Sequence, residues 1–417
     1  MERLRIDRLG HRGDGVVEAP EGPLFAPLTL PGETIRGRAA SGRLTDAEIL
    51  SPSASRVAPA CPHFGRCGGC ALQHASDEFL AGWKTDLVAA ALRARGLAAE
   101  IRPIRVSPPA SRRRVVLSAR RVGGRALFGF HGRADDRIVP VETCPVAHPG
   151  IEAALPGLRA IAGLALRRRD ELRLAVTWTE AGLDVALSRA LPLDAALSAR
   201  LGAEAEAADL TRLTVDGETL ALRRPPALRF GRARLVPPPG AFLQATAEGE
   251  AALIEAAREA VGPARRAADL FAGCGTFALS LAPEMAVRAV EAQGSALAAL
   301  AAATRGVDGL KPVETERRDL FRAPLRPGEL DRFDAVVFDP PRAGAAAQAE
   351  ALAASAPSRI AAISCNPASF ARDARTLVDG GFRLLWVQPV DQFRWSPHVE
   401  LAAEVERLRA EAQRLAD

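Results

Sequence analysis

The chain has 417 residues, of which 48% are hydrophobic, and it carries a net charge of +5 with a pI near 9.2. This length predicts two or three domains with sizeable cores. No apolar run is long enough to span a bilayer without interrupting charges, and the first residues contain no signal-peptide core. We therefore expect a cytoplasmic protein with no membrane segment.

The positive charge comes almost entirely from arginine, because Lys84 and Lys311 are the only lysines. Arginine makes bidentate contacts with phosphate and stacks on bases, which favours a nucleic-acid partner. A GC-rich genome would enrich arginine and alanine codons in the same way. Charge alone is therefore weak support for nucleic-acid binding.

Residues 1–57 predict short strands separated by turns that contain glycine or proline. The predicted strands are Arg3–Leu9, a strand at Val16-Val17, Leu24–Leu28 and Thr34–Ala40. Small β-barrels of this size are common oligonucleotide-binding modules, although an unrelated β-module would give a similar pattern. We expect an RNA-binding barrel of the OB type here.

Three cysteines follow close together, with five residues between Cys61 and Cys67 and two between Cys67 and Cys70. Cys144, which precedes a proline, is a candidate fourth thiolate from a later loop. Four thiolates suit a [4Fe–4S] cluster or a structural zinc ion, and clustered cysteines in a cytosolic protein favour metal over disulfides. The spacing differs from that of radical enzymes, so we expect a structural role.

The rest of residues 58–235 predicts a β-rich central domain. Its predicted elements are a helix from Asp77 to about Arg95 capped by Ser76, paired strands at Arg112–Arg120 and Ala126–Gly132, a helix at Ile151–Ile161 broken at Pro156-Gly157, and a hairpin of Leu172–Thr179 with Leu183–Leu187. The arginines at 112–114 and 120–121 are candidate phosphate contacts, or else a solvated strand face.

Residues 236–417 alternate between strand and helix, as a doubly wound α/β sheet does. The first helix is predicted from Glu248 to Val261. The predicted strands are Ala267–Phe271, Ala286–Val290, Val313–Arg318, Ala335–Phe338, Arg359–Ser364, Arg383–Val390 and His398–Val405.

Three strand ends in this region predict a nucleotide-type cofactor site. The segment Asp269–Phe277 is a strand followed by a glycine-rich turn, which lets a cofactor approach the backbone. Glu291 ends the next strand, where a carboxylate binds ribose hydroxyls, and Asp319 ends the third, near an adenine amine. This pattern is typical of class I S-adenosylmethionine sites, whereas a short structural βα turn is the simpler alternative.

Three further strand ends carry reactive side chains. Asp339 begins an Asp-Pro-Pro-Arg loop, Cys365 lies in Ser-Cys-Asn-Pro, and Glu400 closes His-Val-Glu. A cysteine at the end of a strand, just before a helix, is placed for nucleophilic attack, and the helix N-terminus would lower the pKa of its thiol. A lone cysteine is more often a buried core residue, so the neighbouring motifs are what favour the nucleophile.

Taken together, these motifs resemble the RNA uridine-5-methyltransferase family, and the cysteines and barrel resemble its iron–sulfur branch that modifies 23S rRNA. The resemblance implies a class I methyltransferase domain and a TRAM-like RNA-binding barrel, and a monomer is our default expectation. It implies Cys365 as the nucleophile that attacks uracil C6 and Glu400 as the base that removes the C5 proton. The implied S-adenosylmethionine residues are Gln244, Phe271, Thr276, Glu291, Asp319 and Asp339, and the implied [4Fe–4S] ligands are Cys61, Cys67, Cys70 and Cys144.

Some positions depart from the family pattern. Thr246 and Thr276 stand where asparagine is common, and the segment 391–397 lacks the usual Phe-Pro before the His-Val-Glu motif. Three alternatives remain open: the same chemistry on tRNA or another rRNA uridine, amino methylation of a base or protein amide, and a non-enzymatic RNA-binding scaffold. Amino methylation would tolerate replacement of Cys365 by alanine, whereas the C5 reaction would not. A scaffold would bind S-adenosylmethionine poorly and show no methyl transfer, yet retain its affinity for RNA.

Overall fold

The computed structural model describes residues 2–133 and 135–408. It is a mixed α/β chain built on three large sheets and one small hairpin. Among the described residues, no helix combines the length and the apolar character that crossing a membrane requires.

The first sheet has six short strands. These are β1 (Glu2–Arg5), β2 (Arg8–Leu9), β3 (Gly15–Ala19), β4 (Gly22–Ala26), β5 (Thr34–Ala40) and β6 (Arg43–Ser51). Their order is β1-β5-β6-β4-β3-β2, and every pairing is antiparallel except that of β4 with β6. Ile6, Val17, Ile35 and Leu44 form its core. The strand β6 was not predicted, because charged residues alternate with its few apolar ones.

The second sheet has seven strands and belongs to the middle of the chain. The elements in this region are α1 (Asp77–Arg93), β7 (Glu100–Ile101), β8 (Arg105–Val106), β9 (Arg114–Val122), β10 (Arg125–His131), β11 (Ile138–Pro140), α2 (Pro149–Ala153), α3 (Leu155–Ala165), β12 (Leu172–Thr179), β13 (Gly182–Ser188), α4 (Ala195–Ala207), β14 (Arg212–Val215) and β15 (Glu218–Leu222). The sheet order is β11-β10-β9-β12-β13-β14-β15, with α3 and α4 contributing to its core.

The predicted helix from Asp77 and the predicted hairpin are both confirmed. Ser76 Oγ accepts a hydrogen bond from the backbone N–H of Phe79, which satisfies a free donor of the first turn of α1. The predicted break at Pro156-Gly157 is wrong by two residues. The chain breaks at Ala154, and Pro156 lies in the first turn of α3, where a missing N–H costs no hydrogen bond.

The third sheet has nine strands. After the hairpin of β16 (Leu228–Phe230) and β17 (Ala233–Leu235), the elements are α5 (Ala247–Val261), β18 (Arg266–Leu270), α6 (Thr276–Leu281), β19 (Ala286–Glu291), α7 (Gly294–Thr304), β20 (Val313–Arg317), α8 (Pro327–Leu330), β21 (Ala335–Phe338), α9 (Ala346–Ala353), β22 (Arg359–Ser364), α10 (Pro367–Asp379), β23 (Phe382–Asp391) and β24 (Glu400–Arg407).

The order of this sheet is β20-β19-β18-β21-β22-β24-β23-β7, with β8 also paired to β23. The strands β18 to β22 are parallel, and β24 is antiparallel to both of its neighbours. The strand order reverses between β18 and β21, which is the position where open α/β sheets form a ligand crevice. The ends of these two strands carry the segments at 271–275 and 339–344.

Parts of the chain outside residues 236–417 complete this sheet. The strands β7 and β8 extend its edge, and α1 supplies Val88 and Leu92 to the core on one face. A separate small core joins Leu9 of β2 to Leu72 and Leu80, with Trp395 packed against it. The first sheet is therefore joined to the segment that precedes Glu400.

Candidate functional site

The glycine-rich turn after β18 lies at the strand reversal. Phe271, Gly273 and Gly275 all have positive φ angles, of 63°, 54° and 91°. A Cβ on Gly275 would lie 2.5 Å from Leu300 Cδ1, so this position requires glycine for both its conformation and its packing. The turn leads directly into α6 and leaves its first backbone N–H groups free of helix partners.

Asp269 lies beneath this turn and is fully buried. One carboxylate oxygen accepts a hydrogen bond of 2.9 Å from the Ala278 backbone N–H, whereas Oδ1 has no partner among the described residues. Burial, reinforced by the charges of Asp339 and Glu291, raises the pKa of Asp269 to about 8. An unpartnered buried carboxyl oxygen marks this as a place where a ligand is expected.

Glu291 and Asp319 are held at the ends of neighbouring strands by backbone N–H groups. The Glu291 carboxylate accepts from Gly273 at 3.0 Å and from Gln293 at 2.8 Å. Asp319 accepts from Phe321 at 3.0 Å. The Phe271 and Phe321 rings lie 5.4 Å apart. Phe321, which is 54% exposed beside this crevice, belongs to none of the sequence motifs.

Gln244 and Thr246 enter the site from the segment before α5. Both are buried, and Gln392 Nε2 donates a hydrogen bond of 2.5 Å to Gln244 Oε1. Thr246 caps α5, because its hydroxyl accepts from the Gly249 N–H at 3.0 Å and contacts Ser107 Oγ at 2.7 Å. Threonine thus performs the helix-capping role that an asparagine would also perform here.

The loop that follows Asp339 is fastened to α10. Asn366 and Ser369 side chains both donate to the Arg342 carbonyl at 3.0 Å, and Asp373 accepts from the Ala345 N–H at 2.9 Å. These contacts set the position of Asp339 relative to the end of β22. Burial raises the pKa of Asp339 to about 7.

Cys365 lies one residue beyond β22 and beside these carboxyl groups. Burial raises the pKa of its thiol to about 11, with further contributions from the charges of Glu400 and Asp339, and only partly opposed by Arg342. The expectation that the following helix would lower this pKa is wrong in the free enzyme, because desolvation and two nearby carboxylates outweigh the helix terminus.

Glu400 is the first residue of β24 and pairs across the sheet with Val390 of β23. It is almost fully buried, and burial followed by the charge of Asp339 raises its pKa to about 8. Asp339 therefore lies close enough to raise the pKa of both Cys365 and Glu400, and Glu400 close enough to raise that of Cys365. A nucleophile and a carboxyl with a pKa near neutrality suit covalent and acid–base chemistry.

The segment between β23 and Glu400 is anchored by residues from far upstream. Lys84 of α1 lies 2.6 Å from Asp391 and donates to the Phe393 carbonyl at 3.1 Å. The Trp395 carbonyl accepts from the backbone N–H groups of Ala71 and Leu72, at 2.9 and 3.0 Å. The scarcity of lysine in the chain was the one sequence signal that would have pointed to Lys84.

The four predicted metal-binding cysteines line a single cavity of about 340 Å³. Arg112, Phe130, Phe393 and His398 line the same cavity. Burial, with the charges of the other cysteines, raises the pKa of Cys70 to about 12. Among the described residues, no three histidine, cysteine, aspartate or glutamate side chains are arranged around a point that would hold one metal ion. Cys274 does not line this cavity and is buried within the glycine-rich turn after β18.

Comparison with known proteins gives the family. Residues 235–407 match the model of the tRNA (uracil-5-)-methyltransferase family. An RNA methyltransferase of Brucella suis is 45% identical over 96% of this chain and 97% of its own length. The chain belongs to the RNA uracil-5-methyltransferase family.

Two other family members differ in their RNA. The 23S rRNA (uracil(1939)-C(5))-methyltransferase of Alkalilimnicola ehrlichii is 34% identical, over 97% of this chain and 96% of its own. The crystal structure of the Pyrococcus abyssi tRNA (uracil-54, C5)-methyltransferase, in complex with S-adenosyl-L-homocysteine, superposes with a TM-score of 0.75 over 97% of this chain and 99% of that one. At 21% sequence identity, this superposition shows that the two proteins share a fold. The predicted methyltransferase fold and the predicted enzyme class are thus confirmed.

Proposed function

We propose that this enzyme transfers a methyl group from S-adenosylmethionine to C5 of a specific uridine in 23S rRNA, through a covalent bond between Cys365 and uracil C6. The supporting observation is that Asp339, Cys365 and Glu400 lie at one edge of the sheet, at the ends of the neighbouring strands β21, β22 and β24. Identity of 34% to a 23S rRNA enzyme over nearly the whole chain favours this RNA.

The residues around the turn fit S-adenosylmethionine. Glu291 is placed for the ribose hydroxyls and Asp319 for the adenine amine, with Phe271 and Phe321 as apolar neighbours of the ring. We assign the remaining contacts to Gln244, Thr276 and Asp339. The buried, unpartnered oxygen of Asp269 supports a ligand at this turn.

Cys365 would supply the nucleophile, because uracil C5 is a weak carbon nucleophile. Its proton must leave before sulfur bonds to C6, and Asp339, with a pKa near 7, is the adjacent acceptor. Formation of the Cys365–C6 bond moves the electrons of the C5–C6 double bond toward C5 and the O4 carbonyl. When bound, S-adenosylmethionine supplies the electrophilic methyl group that the activated C5 requires.

Glu400 would complete the reaction by removing the C5 proton. The electrons of that C–H bond reform the C5–C6 double bond, and the C6–sulfur bond breaks to release Cys365. With a pKa near 8, roughly a tenth of Glu400 is ionised at pH 7, and that carboxylate is a stronger base than an ordinary one. Because C5 and C6 are enclosed in a base stack, the target uridine would be flipped out or taken from a loop.

We propose a [4Fe–4S] cluster for the cavity lined by Cys61, Cys67, Cys70 and Cys144. Each thiolate of such a cluster binds a different iron, so the sulfur atoms stand further apart than around one zinc ion. The support for the cluster is that all four cysteines line one cavity, which gives the donor set that a [4Fe–4S] cluster takes. In this position it would support the segment that carries Phe393 and His398.

We further propose that residues 1–57 form a TRAM-like OB-type RNA-binding barrel, residues 58–235 the cluster domain and residues 236–417 the methyltransferase domain. Exposed arginines on the second sheet, such as Arg121 and Arg125, are candidate phosphate contacts. We expect a monomer that meets its RNA in the cytoplasm. The same chemistry on tRNA is the second candidate, favoured by the shared fold with the tRNA enzyme.

The test is Glu400→Gln incubated with S-adenosylmethionine and either 23S rRNA fragments or tRNA transcripts. Blocked proton removal should leave an RNA adduct that survives denaturing gel electrophoresis, and Cys365→Ala should abolish it. Sequencing the trapped RNA identifies the uridine. Methyl transfer by Cys365→Ala without any adduct would overturn the mechanism in favour of amino methylation. Absence of both transfer and adduct on every RNA would favour a binding scaffold.

A further inference from the structure

Gln392 is buried between the cofactor segment and the end of β24, and no motif predicted a role for it. It follows the last residue of β23, and its side chain is 2% exposed. Its Oε1 accepts hydrogen bonds from the Ala245 N–H at 2.7 Å and the Thr246 N–H at 3.4 Å. Its Nε2 donates to Gln244 Oε1.

These contacts fix the orientation of both carboxamides. Backbone N–H groups only donate, so the oxygen of Gln392 must face residues 245 and 246, and its amino group must face Gln244. Gln244 then has its oxygen engaged by Gln392, which leaves its amino group as the donor that it can offer to a ligand. If the oxygen and the amino group of the Gln392 carboxamide were exchanged, its amino group would face the backbone N–H groups of residues 245 and 246, which are also donors.

The same side chain lies close to the proposed base. Gln392 is two residues beyond Val390, which pairs directly with Glu400 across the sheet. In keeping with this placement, Gln392 opposes the effect of burial on the pKa of Glu400. The backbone is also tightly placed, because a Cβ on Gly249 would lie 2.7 Å from Gln392 Cβ. Lys84 holds the preceding residue, Asp391, from the other side. The amide therefore has little freedom to move away.

We propose that Gln392 is a positioning residue that sets the donor orientation of Gln244 toward the cofactor and holds Glu400 in place for proton removal. This inference rests on the methyl transfer proposed above. It makes cofactor affinity and the proton-removal step depend on one buried amide, although Gln392 itself need not touch a reacting atom.

The test compares Gln392→Met, which keeps the volume but cannot make these hydrogen bonds, with Gln388→Met. Gln388 is a matched control, because it is a buried glutamine of β23, the strand that Gln392 follows, and its amide donates to the Pro103 and Pro389 carbonyls. The measurements are S-adenosylmethionine affinity by calorimetry without RNA, and the adduct fraction on denaturing gels with saturating cofactor.

We expect Gln392→Met to weaken cofactor binding on the order of tenfold, and to lower kcat with accumulation of the methylated adduct. Gln388→Met should change neither quantity beyond about twofold. Equal behaviour of the two variants in both measurements would overturn the inference. Failure of the proposed function is distinguishable, since wild type and Glu400→Gln would then yield no adduct while the affinity comparison still tests Gln392.

Discussion

Lys84 Nζ lies 2.6 Å from Asp391 Oδ1, and both side chains are almost completely buried. This ion pair joins α1 to the segment that leads to Glu400, across more than 300 positions of sequence. Desolvation lowers the pKa of Lys84, and the charge of Asp391 opposes that effect. The ion pair therefore holds the segment between β23 and Glu400 against α1 only while both Lys84 and Asp391 are present.

Replacing Lys84 by methionine should strongly destabilise the protein. Asp391 would remain buried without its cation, which costs about 3–5 kcal/mol of unfolding free energy. Chemical denaturation measures the loss. Lys311 is exposed, so Lys311→Met should stay within about 0.5 kcal/mol of wild type. A Lys84→Met variant as stable as the Lys311 variant would show that the pair does not anchor this segment.

Glu400→Gln should become more stable than wild type as the pH rises. The pKa of Glu400 is raised on folding from 4.5 to about 8, so the folded chain binds this proton more tightly than the unfolded chain. Wild type therefore loses stability between those two pH values, as the buried carboxyl beside Asp339 and Cys365 ionises.

Glutamine at position 400 removes that penalty, and the melting temperature should exceed that of wild type by several degrees at about pH 9 but by little near pH 4. Thermal denaturation across this range measures the difference. Exposed Glu48 supplies the control, because Glu48→Gln should give no comparable gain. A constant difference between Glu400→Gln and wild type at all pH values would contradict the assigned burial.

Two glycine-to-alanine substitutions should change the free energy of unfolding in opposite directions. In Gly275→Ala the new Cβ would lie 2.5 Å from Leu300 Cδ1, and alanine would have to adopt a φ of 91°. We therefore expect the free energy of unfolding to fall by about 2 kcal/mol or more, and cofactor binding to weaken. Gly163 lies inside α3 with open space around it, and alanine there should stabilise by up to about 1 kcal/mol. Denaturation midpoints and calorimetry with the cofactor check both.

Iron binding should depend on the cavity cysteines and not on the remaining buried one. After anaerobic reconstitution, Cys144→Ala should lose most of the cluster absorption and bound iron, because one ligand is absent. Cys274→Ala should retain both, since Cys274 lies at the cofactor turn. If the wild-type protein bound stoichiometric zinc and no iron, the cavity would hold a single zinc ion and the proposed cluster would be wrong.

Local patterns predicted most of the C-terminal sheet. The strands Ala335–Phe338 and Arg359–Ser364 have the predicted bounds, because continuous apolar runs between turn residues are typical of buried parallel strands. The motifs at their ends also carried the candidate nucleophile and base. Strand β6 escaped prediction, since its charged residues alternate with few apolar ones.

Sequence by itself determined which chemistry is present at the ends of the strands, because the residue types at a strand end are read directly from the chain. Only the tertiary structure decided how those groups ionise and what holds them. The pKa of Cys365 rises rather than falls because burial and two carboxylates, each from a different strand end, act on it together. Lys84 and Gln392 gained their roles from packing across distant segments, which no local pattern encodes.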